Sequence, residues 1–315
     1  MVIWSYQKMV KDDIKGVNMR IAIIGGGAIG LLTAYFLEEN YEVTIYVRST
    51  KQLQQLSNKG LCYKRGDKQE WKHINIDLFQ NWQAKEEITF VTVKQYHLEA
   101  IYKKINACVT ENNGFVFLQN GMSHLQEIKK LKTKQVMVGI VEHGAVKVND
   151  YTVEHLGVGA IKLAALYSVN SFLKTLVGDK NPFFAIQEEK DYLAIMQKKL
   201  VVNSLVNPLT SILGIKNGAL LENPYFYGLI TAFMEEIAVI LNLSEIEKEN
   251  YFFYCVDVIK KTANNKSSML KDIEEKRSTE VDSILGYLVQ TANKRNLSAK
   301  LTESYYNMVK GKESS

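Results

Sequence analysis

The 315-residue chain has little cysteine, proline or histidine: three, three and five residues. Cys62, Cys108 and Cys255 lie far apart and form no C-x-x-C pair, and the histidines have no metal-ligand spacing. Disulfides and zinc-thiolate sites are therefore not expected, no metal site is predicted, and a reducing cytoplasm fits this cysteine usage. With 46% apolar residues, the chain is long enough for two globular cores.

A strong charge bias is also missing. Lysine and arginine exceed aspartate and glutamate by 39 − 34 = 5, and these charges are spread along the chain. This pattern does not predict a nucleic-acid partner.

No secretory signal and no membrane span is predicted. The 17 charge-free residues at 21–37 approach the lower length limit of a spanning helix, but three consecutive glycines interrupt them. The first 18 residues have mixed charge and no periodicity. We expect residues 1–18 to be a poorly ordered N-terminal extension, added by an early start codon.

A glycine fingerprint organises the front half of the chain. A β-branched run at 21–24 precedes it and an apolar, helix-forming run at 31–37 follows it, which is the strand–turn–helix context of a dinucleotide site. The first fingerprint glycine permits a tight turn, the second lets a pyrophosphate approach, and the third lets the helix pack on the strand. The predicted cofactor-binding turn is Gly25, Gly26, Gly27, Ala28, Ile29 and Gly30.

The next predicted strand, 42–47, decides between the two nicotinamide dinucleotides. A site selective for NAD would end this strand with an acid that binds the ribose hydroxyls, whereas here it ends in Arg48. A guanidinium can hold a 2′-phosphate through two hydrogen bonds. Although Arg48 could be an ordinary exposed turn residue, the intact fingerprint favours NADPH.

The alternation of strands and helices predicts a Rossmann-like α/β domain followed by an all-α domain. Central strands are predicted at 88–93, 115–119 and 136–141, with short strands at 61–64 and 70–76. From about Glu188 onward only helical patterns occur: 193–206, 224–241, 251–262, 281–292 and 299–309. The predicted organisation is an extension (1–18), an NADP-binding domain (19–180) and a helical substrate and catalytic domain (181–315), with a cleft between the two domains.

Polar residues interrupt an apolar stretch of the helical half. Lys199, Asn203 and Asn207 are four residues apart and fall on one helix face, with apolar neighbours on the other faces. Buried amides and ammonium groups need partners, which favours a site for Lys199 and Asn203. Alternatively the lysine reaches solvent and the asparagines cap the helix, with Asn207, before Pro208, as its terminator.

A second polar cluster lies at 264–282. Ser267 or Ser268 would make a good N-cap, and residues 279–282 fit a capping box in which Glu280 favours the helix dipole. Spacing alone favours these capping roles over a site.

Six ordered motifs give the chain its resemblance to a known family. From Met19 to about Lys312 the sequence resembles the ketopantoate reductases (2-dehydropantoate 2-reductases) of the 6-phosphogluconate dehydrogenase-like superfamily. The motifs are GGGAIG (25–30), VTVK (91–94), QNGM (119–122), KLVVNSLVNPLT (199–210), KNG (216–218) and SSMLKDIEEKRSTEVD (267–282).

The resemblance implies NADPH-dependent reduction of ketopantoate to (R)-pantoate in coenzyme A biosynthesis. It makes Lys199 the proton donor and Glu280 its acidic catalytic partner. It places on the cofactor, besides the glycine turn, Arg48, Lys94, Asn120, Ala145 and Glu280. It places on the substrate Asn120, Lys199, Asn203, Asn207, Asn217 and Ser268, and we expect the domains to close over that substrate.

Two alternatives stay open from the sequence. The same residues could reduce a different small 2-keto acid. A dinucleotide-sensing protein without turnover would need no proton donor, so Lys199 with Ser268 and Glu280 argues against it. A small-molecule substrate and a monomer or homodimer are expected.

Overall fold

A computed structural model describes residues 19–167, 171–177 and 181–314, so the predicted extension 1–18 lies outside the described residues. Within these ranges the chain forms two compact units. The first comprises residues 19–93, 97–119 and 130–192, and the second comprises 94–96, 120–129 and 193–314. The units change at residue 192, whereas the sequence placed the boundary at 180; that boundary stays a prediction.

The first unit is built on an eight-stranded sheet. In spatial order its strands are β12 (Ala185–Glu188), β11 (Ala160–Ala165), β8 (Val136–Val141), β7 (Gly114–Phe117), β6 (Ile88–Val91), β1 (Arg20–Ile24), β2 (Glu42–Val47) and β5 (Asn75–Leu78). All neighbours are parallel except β8 and β11. β6 and β7 are buried along their whole length, as expected for central parallel strands.

A second, four-stranded sheet corrects one strand prediction. Its order is β4 (Lys68–Lys72), β3 (Leu61–Arg65), β10 (Thr152–Gly157) and β9 (Gly144–Lys147). The single strand predicted at 70–76 is wrong, because that stretch is divided between β4 and β5 in different sheets. Gly66, at φ +57°, turns the chain so that β4 pairs antiparallel with β3, and β5 then pairs with β2.

Among the residues described, the first unit has four α-helices: α1 (Ala28–Leu37), α2 (Thr50–Lys59), α3 (Leu98–Cys108) and α5 (Ser171–Val177). The interior includes stacked aromatic rings, with Tyr35 on Tyr63 at 4.4 Å and Phe36 on Phe184 at 4.9 Å between ring centroids. Phe184 directly precedes β12, which lies before the stretch of purely helical patterns predicted from about Glu188 onward.

The second unit is helical. Its helices are α4 (Leu125–Ile128), α6 (Tyr192–Leu213), α7 (Ala219–Glu222), α8 (Pro224–Leu241), α9 (Glu245–Lys261), α10 (Ser268–Glu274), α11 (Val281–Lys294) and α12 (Lys300–Glu313). The predicted fold class, an α/β Rossmann-like front half followed by a helical rear half, is confirmed.

Helix α6 does not end before Pro208. It continues to Leu213, so the alternative that Asn207 terminates the helix is wrong. An interior proline removes one backbone hydrogen bond, at a cost of about 3 kcal/mol in an exposed helix. Here the segment 200–211 is buried throughout, and Thr210 donates its hydroxyl proton to the carbonyl of Val206 at 2.7 Å. Burial and this side-chain bond offset the loss.

Helix α8 is long and apolar enough to cross a membrane by length and composition alone, with a mean hydropathy of 1.3. One such helix is weak evidence for a membrane protein. Ile230, Phe233, Met234 and Ile237 are buried within the second unit. Asn223 caps the start of the helix with its side chain.

Candidate active site

The glycine turn between β1 and α1 has a conformation that requires two of its glycines. Gly25 has φ +119°, and its N–H donates to the carbonyl of Tyr46 at 3.0 Å. The hydroxyl of Thr92 donates to the carbonyls of Ile24 and Gly25, both at 3.1 Å. A Cβ atom on Gly30 would overlap the carbonyl oxygen of Gly25. Any side chain at 25 or 30 would therefore deform the turn.

Gly27 has a different role. A Cβ there would meet no atom within 4 Å, so this position is open rather than packed. Gly27 is the N-cap of α1, in an extended conformation and without a side-chain cap. The first N–H groups of α1 are thus available to an external acceptor, and the helix dipole favours an anion there. The turn fits the pyrophosphate of a dinucleotide, which Gly25, Gly27 and the first turn of α1 would hold.

The other predicted cofactor residues of the first unit lie on separate elements. Arg48 is exposed directly after β2, and Ser49 then caps α2 by accepting from the N–H of Gln52 at 3.3 Å. The pKa of His97 is lowered mainly by burial and, to a smaller extent, by the positive charge of Arg48. Ala145 is half-buried in β9. Their cofactor roles stay predictions.

Three predicted residues meet in the second unit. The ammonium of Lys94 lies 3.3 Å from Oε2 of Glu280, and Nδ2 of Asn120 donates to the same oxygen at 2.9 Å. Glu280 is nearly buried, with 6% of its side chain exposed, whereas 37% of the Lys94 side chain is exposed. The resemblance assigned these three residues to different parts of the ligands, and the structure joins them through one carboxylate.

Two residues without a predicted role extend this cluster. Asp272, also 6% exposed, accepts from Lys94 at 3.0 Å through Oδ2. Its Oδ1 accepts from Nε and Nη2 of Arg277 at 3.1 and 3.0 Å. We call Lys94, Asn120, Asp272, Arg277 and Glu280 the charged cluster. Motif 267–282 includes Asp272, and its position between apolar Leu270 and Ile273 was the available signal for a buried acid.

The charges of the cluster outweigh the effect of burial on its lysine. Burial alone would lower the pKa of Lys94, but the negative charges of Glu280 and Asp272 raise it above its ordinary value. Lys94 is therefore a fixed cation at neutral pH. Its charge also acts on Tyr96, whose pKa is raised mainly by burial while Lys94 lowers it in part.

Glu280 does not act as a helix-capping side chain. It occupies the N-cap position of α11 without a side-chain cap, because its carboxylate binds Lys94 and Asn120 instead. The hydroxyl of Thr279 accepts from the N–H of Val281 at 3.1 Å. The capping box predicted for 279–282 is thus wrong, whereas the N-cap at Ser267 is confirmed by its bond from the N–H of Leu270 at 3.1 Å.

Helix α6 carries Lys199, Asn203 and Asn207 along one face, as their spacing predicts. Lys199 is partly buried, and each asparagine has 7% exposure. Buried amides of this kind are suited to a ligand that supplies oxygens.

Asn217 and Ser268 lie on other elements of the same unit. Asn217 donates to the hydroxyl of Thr262 at 3.0 Å, while its buried Oδ1 has no partner among the residues described. Ser268 is exposed at the first position of α10. The hydroxyls of Ser267 and Thr210 are 2.8 Å apart, which links the start of α10 to α6. The substrate roles of Asn217 and Ser268 stay predictions.

The three cysteines are free. Across the described part of the chain, no group of three or more histidine, cysteine, aspartate or glutamate side chains could hold a metal ion.

Comparison with known proteins gives the family. A model described as Ketopantoate reductase PanE/ApbA matches residues 21–167, and one described as Ketopantoate reductase PanE/ApbA C terminal matches residues 191–313. The chain belongs to the ketopantoate reductase family. The family predicted from the six motifs is thereby confirmed, and with it the assignment to the 2-dehydropantoate 2-reductases, a class of oxidoreductases.

Individual relatives cover nearly the whole chain. The 2-dehydropantoate 2-reductase of Bacillus subtilis (strain 168) is 35% identical over 297 residues, which are 94% of this chain and 98% of the relative. The crystal structure of a probable 2-dehydropantoate 2-reductase from Bacillus subtilis has a TM-score of 0.84 at 34% identity, and the match covers 93% of this chain and all of that one (100%).

Two more distant structures share the fold. A ternary complex of D-mandelate dehydrogenase with NADH and anilino(oxo)acetate has a TM-score of 0.86 at 21% identity, and the match covers 94% of this chain and 99% of that one. A dimeric ketopantoate reductase from Staphylococcus aureus has a TM-score of 0.74 at 20% identity, with the same coverage of 94% and 99%. Their likeness concerns the fold alone.

Proposed function

We propose that the protein reduces ketopantoate to (R)-pantoate with NADPH, in the biosynthesis of pantothenate and coenzyme A. The observation that carries the proposal is the face of α6, where Lys199 shares one line with two buried asparagine amides. In a ketopantoate reductase chain, this face offers a cation and amide groups to the carbonyl, hydroxyl and carboxylate oxygens of a small 2-keto acid. Ser268 and Asn217 would add contacts to the same substrate.

The chemistry assigns one role to each group. Reduced nicotinamide, when bound, supplies a hydride from C4 to the keto carbon. As that bond forms, the carbonyl oxygen gains negative charge, and the ammonium of Lys199 gives it a proton. A positioned general acid contributes on the order of 10² to 10⁴ in rate. Glu280 balances the positive charge near the reaction, and its bonds to Lys94 and Asn120 hold it in place.

The preference for NADPH is proposed from the end of β2. Arg48 is exposed there, and no acid stands in the position that would bind the ribose hydroxyls. A carboxylate would repel a 2′-phosphate, whereas the guanidinium attracts it.

A substrate comparison tests the reaction. With NADPH at saturation, we expect kcat/KM for ketopantoate to exceed that for pyruvate and for 2-ketoisovalerate by at least about tenfold, since both smaller acids lack the 4-hydroxyl group of ketopantoate and leave its polar partner in the site without a hydrogen bond. Equal or higher kcat/KM with another 2-keto acid would favour the alternative substrate. Absence of NADPH oxidation with all three acids would contradict the proposed reaction and favour the non-catalytic sensing alternative.

A cofactor comparison tests the role of Arg48. We expect the unmodified protein to prefer NADPH over NADH, and Arg48→Glu to reverse that preference, because the new carboxylate repels the 2′-phosphate and accepts from ribose hydroxyls. Lys51→Glu, exposed on the first turn of α2, is the matched charge control. If the unmodified protein uses NADH as well as NADPH, the proposed cofactor is wrong.

Location and assembly complete the proposal. A cytoplasmic enzyme fits three free cysteines, and the assembly is proposed to be a monomer or a homodimer, the latter as in the dimeric ketopantoate reductase from Staphylococcus aureus. Sedimentation equilibrium at micromolar protein concentration measures the assembly directly.

A further inference from the structure

One buried glutamine bonds to the glycine turn. Gln52 lies in the first turn of α2 with 6% exposure. Its Nε2 donates to the carbonyl oxygen of Gly26 at 2.7 Å and to that of Asp150 at 3.0 Å. The side chain therefore ties three stretches of the first unit together: the glycine turn, the start of α2 after Arg48, and the loop between β9 and β10.

The bond to Gly26 fixes a peptide plane at the pyrophosphate site. In a trans peptide the C=O and N–H groups point in opposite directions. Because Gln52 holds the carbonyl of Gly26, the N–H of Gly27, in the same peptide unit, is turned away from Gln52. Gly27 is the open position of the turn, and its N–H donates to no other backbone group among the residues described.

The amide of Gln52 also occupies the space beside Gly26, the second residue of the turn. A Cβ atom on Gly26 would lie 2.6 to 2.8 Å from the Nε2, Oε1 and Cδ atoms of Gln52. Gly26 is outside the left-handed region, so its backbone would accept another residue. The three fingerprint positions are 25, 27 and 30, whereas at 26 the nearest atoms that a Cβ would meet belong to the amide of Gln52, which would have to shift.

We propose that Gln52 is a positioning residue for the dinucleotide: it orients the Gly27 N–H toward the pyrophosphate and couples this turn to the strand end that carries Arg48. The proposal rests on dinucleotide binding in the proposed function and goes beyond it by assigning a residue that acts through the peptide between Gly26 and Gly27.

Binding and kinetics of Gln52 variants test this role. For Gln52→Ala we expect the Kd for NADPH, measured by nucleotide fluorescence, to rise about tenfold, as for loss of a buried hydrogen bond. The KM for NADPH should rise in parallel while kcat and the KM for ketopantoate change less than about twofold. Gln54→Ala, exposed two residues later on α2, is the control and should leave all values unchanged.

A double-mutant cycle separates positioning from folding. Gly26→Ala pushes the Gln52 amide away, so it should weaken NADPH binding by itself, yet add less than about twofold to Gln52→Ala. Additive losses would overturn the proposal, as would a lowered thermal midpoint with an unchanged Kd. Should Gln52→Ala fail to fold, Gln52→Met keeps a side chain of similar length without charge but removes the donor, and the same Kd comparison decides.

The proposed function and this inference fail differently. If the unmodified protein binds NADPH but does not reduce ketopantoate, the reaction is wrong and the binding comparison still decides the role of Gln52. If it reduces ketopantoate and Gln52→Ala binds NADPH with unchanged Kd, only the inference is wrong.

Discussion

At the residue scale, the charged cluster balances two cations against two acids. Lys94 and Arg277 lie beside Asp272 and Glu280, and the two acids are nearly buried. Asp272 contacts both cations, so its loss takes a carboxylate partner from Lys94 and from Arg277. A buried carboxylate of this kind is retained only where hydrogen bonds satisfy it.

Replacing Asp272 tests the energetic weight of that acid. We expect Asp272→Asn to lower the free energy of unfolding by about 2 kcal/mol, because charge-assisted hydrogen bonds to Lys94 and Arg277 weaken. The measurement is the urea midpoint. Asp257→Asn removes an exposed ion pair with Lys261 and should change stability by less than about 0.5 kcal/mol. Equal effects of the two substitutions would contradict a special role for Asp272.

A pair of buried histidines lies in the first unit. Nδ1 of His143 is 3.2 Å from Nε2 of His155, and the N–H of Gly159 donates to the same Nδ1 at 3.1 Å. Burial first, and then the neighbouring His155, lower the pKa of His143 to about 4 despite the opposing charge of Glu142. Protonation of Nδ1 would replace an acceptor by a donor that faces the Gly159 N–H.

This pair predicts a loss of stability in mild acid. The folded pKa lies below the value of about 6.5 for an unfolded histidine, so the unfolded chain binds the proton first as pH falls. The contribution of His143 to the free energy of unfolding is complete above about pH 6.5. It falls by on the order of 3 kcal/mol as the pH is lowered from about 6.5 to about 4. In His143→Gln the thermal midpoint should change less with pH over this range than in the unmodified protein. The same substitution at the exposed His73 should leave the pH dependence of the midpoint unchanged. An unchanged pH profile of His143→Gln would contradict the prediction.

At the element scale, short sequence patterns predicted the elements whose structure depends on residues close together in the chain. The strand, glycine turn and helix at 21–37 were predicted because β-branched residues, glycine spacing and an apolar helical run occur within one short stretch. The spacing of Lys199, Asn203 and Asn207 likewise predicted a common helix face. The division of 70–76 between two sheets was not predicted, since it depends on the distant partners β2 and β3.

The charged cluster could not be predicted from spacing either, because it joins residues that are distant in the chain. Asp272 and Lys94 are 178 residues apart, and no spacing rule joins them. From spacing alone Glu280 fitted a helix cap, and only the family resemblance predicted its place in the site. The continuation of α6 past Pro208 is a further case, in which burial of the segment outweighs a local helix breaker.

One glycine lets two elements of the second unit meet. Gly121 has φ +79°, and a Cβ atom there would overlap the carbonyl oxygen of Ser283 in α11. The N–H of Met122 donates to that oxygen at 3.4 Å. The segment after β7 therefore lies directly on the start of α11, which places Asn120 against Glu280.

Gly121→Ala should disturb this contact. We expect at least about 2 kcal/mol loss of stability from the left-handed backbone and the overlap, together with lower kcat because Asn120 moves away from Glu280. The control is Gly228→Ala in α8, where a Cβ meets no atom within 4 Å, and it should stabilise by about 0.5–1 kcal/mol. Thermal midpoints and turnover of both variants are the measurements. A fully stable Gly121→Ala would contradict the geometry.

At the scale of the whole molecule, two tasks fall to two units. The first carries the glycine turn, Gln52 and Arg48, which serve the proposed dinucleotide. The second carries the face of α6, which serves the proposed substrate and the proton, and the charged cluster, of which the family resemblance places Lys94, Asn120 and Glu280 on the cofactor. Loss of the proton donor should consequently leave cofactor binding intact.

Lys199→Ala tests this central claim most directly. Turnover of ketopantoate and the Kd for NADPH are measured on the same preparation, beside Lys198→Ala, whose lysine instead lies over the ring of Tyr254 at 3.9 Å. We predict that Lys199→Ala loses about 10² to 10⁴ in kcat with NADPH affinity within about twofold of the unmodified protein, while Lys198→Ala keeps its turnover. An almost fully active Lys199→Ala would contradict the account.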